Sequence, residues 1–140
     1  MDIRSNSLKF RSVHVDDADF IYQLRIDNGK YLNNEGFTSE GNKAWISKCP
    51  EREDNGEEYY FIISTDREDI GVVRVYRIDN QEKTFSWGSW VLNDKRPSKA
   101  AIICAVMIYA FAFDYLGMEQ AIIDVRNDNV SVIAFHERAG

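Results

Sequence analysis

The stretch from Thr84 to Ala101 reads TFSWGSWVLNDKRPSKAA and joins two patterns of opposite kind. Its first half, Thr84 to Leu92, is rich in aromatic and β-branched residues and predicts a strand. Pro97 suits the first turn of a helix, and the apolar run from Ala100 to Phe113 predicts a helix that is buried on nearly every side. Such a helix points the positive end of its dipole and its unpaired backbone N–H groups beyond the tip of the strand.

The turn between this strand and this helix is rich in hydrogen-bond donors. It carries Lys95, Arg96, Ser98 and Lys99. Together with the helix N-terminus, these residues favour a phosphate or pyrophosphate ligand. The alternative is a solvated basic turn in which the Ser98 hydroxyl only caps the helix.

Two further strands are predicted before this stretch. Tyr59 to Ile63 is strongly β-prone, and Gly71 to Ile78 follows it. Asp79 to Gln81 then turns the chain, so the three strands form an antiparallel meander. Gly88 lies inside the third strand, where a glycine often marks a β-bulge.

Helical signals occur at the N-terminal end of the chain. A short strand is predicted over Leu8 to Ser12, and Asp16 is expected to cap a helix that runs to Asn28. A second helix is expected to begin at Thr38 or the next residue and to end before Pro50.

The C-terminal part completes the predicted order β-α-α-β-β-β-α-β-α. Gly117 suits the left-handed position that ends the buried helix. A strand over Ala121 to Val125, expected to be parallel to its predecessor, leads to a last helix over Ser131 to Arg138. The predicted fold class is α/β (α+β), with one mixed, mostly antiparallel sheet flanked by helices in a single domain.

Composition excludes several functional classes. The chain has 140 residues, a net charge of −6 and 44% hydrophobic residues, which is typical of one globular domain without a basic face for nucleic acid. Met1 to Phe10 has no secretory h-region and the longest apolar run is too short for a bilayer, so we expect a cytoplasmic protein without membrane attachment. Cys49 and Cys104 have no CxxC or Cys-His spacing, so neither a metal site nor a disulfide is expected.

Both ends of the chain resemble the GNAT superfamily of N-acetyltransferases. Leu8 to Arg11 followed by Asp16 to Ala18 is similar to the opening of its ribosomal-protein and nucleotide-sugar branch. Asp124 to Ser131 followed by Phe135 to Gly140 is similar to its late strand and last helix. The resemblance covers almost the entire chain and implies an acetyl-CoA-dependent enzyme that acts on an amine.

The resemblance also implies a cofactor site. The family signature in the turn corresponds here to Arg96 through Ala101, with Lys99 at a position where the family has glycine. A side chain there intrudes on the pyrophosphate or swings outward to contact it as a point charge. The cofactor-binding residues that the resemblance implies are Trp90, Val91, Leu92, Arg96, Ser98, Lys99, Ala100, Ala101 and Asn129.

For catalysis, the resemblance places His136 where the family often has a tyrosine that protonates the leaving thiolate. An imidazole can donate a proton to sulfur at neutral pH; a helix-surface histidine without a role is the alternative. The family often has an acidic base at the position of Ser86, which cannot serve as one. A water chain, Asp124 or Glu35 are the substitutes considered.

The acceptor side is assigned by the same resemblance. Tyr31, Arg74 and Trp87 are the predicted substrate-binding residues, and Tyr22 and Arg25 lie in the variable region that shapes the acceptor pocket. Trp87 and Trp90 have an equally simple interpretation as core aromatics. The favoured acceptor is an amino sugar on a nucleotide carrier, and the alternatives are a protein N-terminus or a non-catalytic module that binds a CoA-like ligand.

The resemblance implies one more strand than the sequence contains. Gly140 falls where the family continues with Phe and a last strand. An uncovered sheet edge would expose backbone and apolar surface. The sequence therefore predicts either a C-terminal truncation or cover by a partner chain, such as a homodimer.

Overall fold

The computed structural model describes residues 2–5, 7–27 and 38–122. Within them lies a six-stranded sheet whose strands are neighbours in sequence order. Strands β1 to β5 pair antiparallel, and β6 pairs parallel to β5, as predicted. The strands are β1 (Asp2–Arg4), β2 (Lys9–Ser12), β3 (Tyr59–Ser64), β4 (Asp69–Asp79), β5 (Thr84–Leu92) and β6 (Gln120–Ala121).

Four helices accompany the sheet in the described part of the chain. They are α1 (Ala18–Asp27), α2 (Ser39–Ile46), α3 (Cys49–Asp54) and α4 (Ala100–Ala110). A 3₁₀ turn precedes α1, and a π-helical turn over Phe111–Tyr115 follows α4. Gly117 then has a φ of 72°, the left-handed conformation expected of it.

The sheet has two buried faces, because alternate side chains of a strand point to opposite sides. On one face, side chains such as Phe61, Val73 and Phe85 pack with α4. On the other face, Tyr60, Ile62 and their neighbours pack with α1, α2 and α3. No helix among the described residues is long and apolar enough to span a bilayer.

Several local features differ from the expectations. The second helix ends at Ile46, before Pro50 as expected, but strand β1 and helix α3 were not predicted. Pro50 suits the start of α3 because it needs no backbone donor there. Helix α4 begins at Ala100 rather than near Pro97. Its outer side is not buried in this structure, since Ile102 is 55% and Val106 is 62% exposed.

The start of the first helix also differs from the prediction. His14, not Asp16, caps the 3₁₀ turn: its Nδ1 accepts from the Asp16 N–H at 3.2 Å. Asp17 completes the cap by accepting from the His14 N–H at 2.8 Å. Arg11 donates to both Asp17 carboxylate oxygens at 2.8 and 2.9 Å, which ties strand β2 to this turn.

Replacing Asp17 with Asn is expected to lower the free energy of unfolding by about 1.5 kcal/mol, allowing for partial solvent screening. Burial opposes ionisation of Asp17, but the hydrogen bonds from Arg11 and His14 outweigh it, so its pKa lies below the usual 3.8. The stabilisation is therefore present above pH 3.8 and is lost as the pH falls through the lowered pKa.

Denaturant unfolding at pH 7 and at pH 3 measures this effect. Asp16→Asn is the matched control, because the Asp16 side chain is 90% exposed and should change stability little. Equal losses in the two variants would contradict the assignment.

Candidate functional site

Strand β5 carries a β-bulge at its centre. Val72 pairs with Val91 while Arg74 pairs with Gly88, so β5 contains one residue more than β4 between these pairs. Ser89 has a φ of 48°, a left-handed conformation that an inserted residue can require. The bulge predicted from Gly88 is confirmed, and it interrupts the regular pairing of β5 with β4.

The turn between β5 and α4 exposes the basic residues at the start of the helix. Arg96, Ser98 and Lys99 are all exposed. Lys99 is the N-cap residue of α4 with a φ of −109°, so a residue with a side chain fits there without strain. No side chain caps this helix, which contradicts the reading of Ser98 as a capping hydroxyl.

The start of α4 offers backbone donors to a phosphate ligand. The first N–H groups of an α-helix lack intrahelical acceptors, and Ala101 in that turn is exposed. Ala100 does not add to them, because it is fully buried and its N–H donates to the Pro97 carbonyl at 3.1 Å. The donors of this turn therefore suit the pyrophosphate of a CoA molecule, even with Lys99 at the glycine position.

The other predicted cofactor residues lie on β5 beyond the bulge. Val91 is buried on the face covered by α1 to α3. Trp90 and Leu92 pack against the opposite core, the one that contains α4. Their side chains are therefore occupied by packing, and their backbones are what β5 presents to a ligand.

Trp87 lies in the core. Its indole is 4% exposed and its Nε1 donates to the Tyr109 hydroxyl at 3.3 Å. Its ring also contacts that of Trp90 at 5.1 Å. These contacts match the core reading of Trp87 given by the sequence, and Trp87 is not among the described residues that line the cavity next to the bulge.

That cavity lies between the first helices and the sheet. It has a volume of about 380 Å³ and reaches the bulge at Ser89. Arg25 and Arg74, two residues singled out for the acceptor side, both line it. The other described lining residues are Thr38, Gly41, Asn42, Trp45, Tyr60 and Ser89.

Arg74 is held in place from several sides. Its guanidinium carbon lies 4.4 Å from the Tyr76 ring centroid and 5.5 Å from that of Trp45. Its Nη1 lies 3.5 Å from a Glu58 oxygen. Aromatic faces attract a cation and restrict its rotamers, so Arg74 presents a positioned positive charge.

Tyr60 is a deeply buried polar side chain of this wall. Burial raises its pKa to about 12, although the nearby Arg25 and Arg74 guanidinium groups act in the opposite direction. The hydroxyl is therefore protonated at neutral pH and can act as a donor. It has no hydrogen-bond partner among the described residues.

Sequence reasoning missed Asn42, Trp45 and Tyr60. Asn42 is buried and donates to the Ala18 carbonyl at 2.8 Å, which joins α2 to α1. Tyr60 lies on the same face of the sheet as the aliphatic residues Ile62 and Val72. The hydroxyl of Tyr60 among these apolar residues was the feature of the sequence that could have indicated a binding role. His136, Asn129, Tyr31, Asp124 and Glu35 lie outside the described residues, and their roles stay predictions.

Comparison with known proteins defines the class. The model of the acetyltransferase (GNAT) domain family matches residues 7–140. A sheet with a bulged strand, followed by a helix whose start is rich in donors, agrees with that assignment. The chain belongs to the GNAT acetyltransferase family.

Solved structures agree with the family assignment. FdhC, described as a nucleotide-linked sugar GNAT and solved without ligand, is 36% identical, with a TM-score of 0.90 over 100% of this chain and 81% of its own. The microcin self-immunity acetyltransferase MccE, solved with acetyl-CoA and AMP, is 18% identical with a TM-score of 0.81, covering 97% and 79%.

A third structure is the ribosomal alpha-N-protein acetyltransferase RimL. It is 18% identical with a TM-score of 0.78, over 99% of this chain and 78% of its own. At these identities MccE and RimL show the fold alone. No curated protein matches the chain.

Proposed function

We propose that this protein is a cytoplasmic acetyl-CoA-dependent N-acetyltransferase whose acceptor is a primary amine of an amino sugar on a nucleotide carrier. One observation carries the acceptor side: the cavity lined by Arg25 and Arg74 reaches Ser89, in the bulge of β5. The similarity to FdhC, a nucleotide-linked sugar GNAT at 36% identity, supports the same acceptor class.

We assign acetyl-CoA to the part of β5 that follows the bulge and to the start of α4. Acetyl-CoA supplies an activated acetyl thioester when bound. Arg96, Ser98 and Lys99, with the first N–H groups of α4, hold the pyrophosphate, and the backbone of Trp90 to Leu92 contacts the pantetheine arm. A backbone N–H near the bulge stabilises negative charge on the thioester oxygen.

The acceptor amine attacks from the cavity side. The nitrogen–carbon bond forms as the carbon–sulfur bond breaks, the amine releases its proton to water, and His136 protonates the departing thiolate. None of the described side chains of the wall can act as a base at neutral pH: hydroxyl, amide, indole and guanidinium groups have no suitable pKa. Among the described residues, water is therefore the only proton acceptor, and Asp124 and Glu35 stay predicted alternatives outside them.

The direct test follows thiol release from acetyl-CoA with amine acceptors of three kinds. These are nucleoside-diphosphate amino sugars, peptides with a free N-terminus and polyamines. We expect saturable turnover with the first class. Faster turnover with peptides would replace the proposed acceptor, and folded protein that binds acetyl-CoA without turnover in any class would favour a binding module.

Replacing both Arg96 and Lys99 with Ala is expected to weaken CoA binding about tenfold or more, because two charge-assisted contacts to phosphate are lost. Isothermal titration with acetyl-CoA measures this, with desulfo-CoA and ATP as comparison ligands. Lys95→Ala is the matched control, since Lys95 lies in the same turn but its Nζ is 3.2 Å from a Glu68 oxygen. Wild-type affinity in the double variant would refute the pyrophosphate assignment.

A further inference from the structure

The charge of the cavity differs from that of the chain. The protein carries a net charge of −6, yet no carboxylate is among the described residues that line the cavity, whereas Arg25 and Arg74 are. The nearby carboxylate of Glu58 is shared: it lies 3.5 Å from Arg74 Nη1 and 3.4 Å from Arg52 Nε. Within the described residues, one negative charge between two guanidinium groups leaves this corner positive.

Two donors of this wall lack acceptors in the described structure. They are the Tyr60 hydroxyl and the Nε of Arg74. Tyr60 is only 5% exposed, and a buried polar group without a partner costs about 1–3 kcal/mol. A ligand oxygen in the cavity would satisfy both groups, because the Arg74 Nε can only donate and the Tyr60 hydroxyl is able to donate.

The start of α2 adds to the same polarity. Thr38 caps this eight-residue helix by accepting from the Gly41 N–H, and Thr38, Gly41 and Asn42 all line the cavity. The positive end of the α2 dipole is therefore next to the two arginines.

We propose that this cavity binds an anionic group of the acceptor, of phosphate or carboxylate chemistry, on Arg74 and Arg25 with the Tyr60 hydroxyl as a third donor. This inference rests on the proposed acetyl transfer, of which it names the specificity determinant. Planar guanidinium groups match phosphate and carboxylate oxygens in geometry as well as in charge. In the proposed acceptor, the diphosphate of the nucleotide carrier supplies the anion.

The proposal also explains what the cavity excludes. A polyamine would bring further positive charges to two arginines and the positive end of a helix, and like charges repel strongly where solvent is partly excluded. The ring of Trp45, which also contacts the Arg52 guanidinium at 4.2 Å, offers a flat apolar surface for the uncharged part of the acceptor.

Binding measurements separate this proposal from catalysis. Inorganic pyrophosphate, uridine diphosphate and malonate are titrated into protein carrying Arg96→Ala and Lys99→Ala, which removes the other predicted phosphate seat. In that background we expect Arg74→Met to weaken pyrophosphate binding about tenfold or more and Tyr60→Phe about fivefold, as expected for lost charged and neutral hydrogen bonds. Arg67→Met, which alters an exposed arginine, is the matched control and should change nothing.

Folding is monitored in the same variants. Because the Tyr60 hydroxyl has no partner in the described structure, Tyr60→Phe should leave Tm unchanged or raise it. A large fall in Tm would show that the hydroxyl serves the fold and would remove it from the site. Tighter binding of malonate than of pyrophosphate would identify the anion as a carboxylate.

The two proposals can fail separately. Pyrophosphate bound through Arg74 without acetyl transfer to any amine would support the anion site and refute the enzyme. Acetyl transfer to a free amino sugar as fast as to its nucleotide-linked form, unchanged by Arg74→Met, would refute the anion site. Pyrophosphate affinity equal in the Arg74→Met and Arg67→Met variants would refute it as well.

Discussion

Gly71→Ala is expected to lower the free energy of unfolding by about 3 kcal/mol, the upper end of the range for overpacking a core. Gly71 lies in β4 opposite Leu92 of β5. An added Cβ would collide with the Val91 carbonyl oxygen and would lie 2.9 Å from Leu92 Cδ2. Since one of these neighbours is backbone, the two strands must separate to admit a methyl group.

Denaturant unfolding measures this loss, and Gly88→Ala is its matched control. At Gly88 the nearest neighbour of an added Cβ is the Tyr76 hydroxyl at 3.1 Å, the end of a side chain that can move. We expect that control to lose less than about 1 kcal/mol. The same separation should displace Val91 and Leu92, so Gly71→Ala should also weaken acetyl-CoA binding. A stable Gly71→Ala protein with normal cofactor affinity would contradict the packing argument.

His136→Ala is expected to lower turnover about a hundredfold or more, because a general acid typically contributes at least that factor. Affinity for acetyl-CoA should change little, since the imidazole is assigned to the departing thiolate and not to binding. Steady-state kinetics and isothermal titration on the same preparation separate the two effects.

The control for this variant is His14→Ala. His14 caps the first turn and belongs to no part of the proposed site, so its loss should reduce stability while leaving turnover near that of the wild type. His136→Gln distinguishes proton donation from packing, because the amide keeps much of the size without a titrating proton. Unchanged turnover in His136→Ala would remove the residue from the mechanism.

Most of the fold was predicted from the spacing of hydrophobic residues and from the residues that favour turns. Strands β3, β4 and β5 were predicted from β-branched and aromatic runs, and the parallel strand β6 from its position after a long helix. The errors occur where local signals compete. Pro50 can end one helix or begin the next, and the packing of α3 against β3 is not visible in the local sequence.

The site was predicted in outline only. Arg74 and Arg25 were assigned to the acceptor side through the family resemblance, and both line the cavity. Trp45 and Tyr60 were missed because their importance depends on contacts between distant segments. The ring centroids of Trp45 in α2 and Tyr60 in β3 lie 5.5 Å apart. The charge of the cavity is likewise invisible in a chain whose total charge is negative.

The bulge of β5 adds one residue without changing the faces of the residues that follow. Without Ser89, Trp90 would pair with Val73 between the Arg74–Gly88 and Val72–Val91 pairs, and regular alternation would result. Trp90 and Leu92 would still point toward α4 and Val91 toward α1 to α3, so both cores would be kept. Across homologues, a one-residue deletion in this segment should therefore leave the packing intact and remove only the interruption of the pairing beside the cavity.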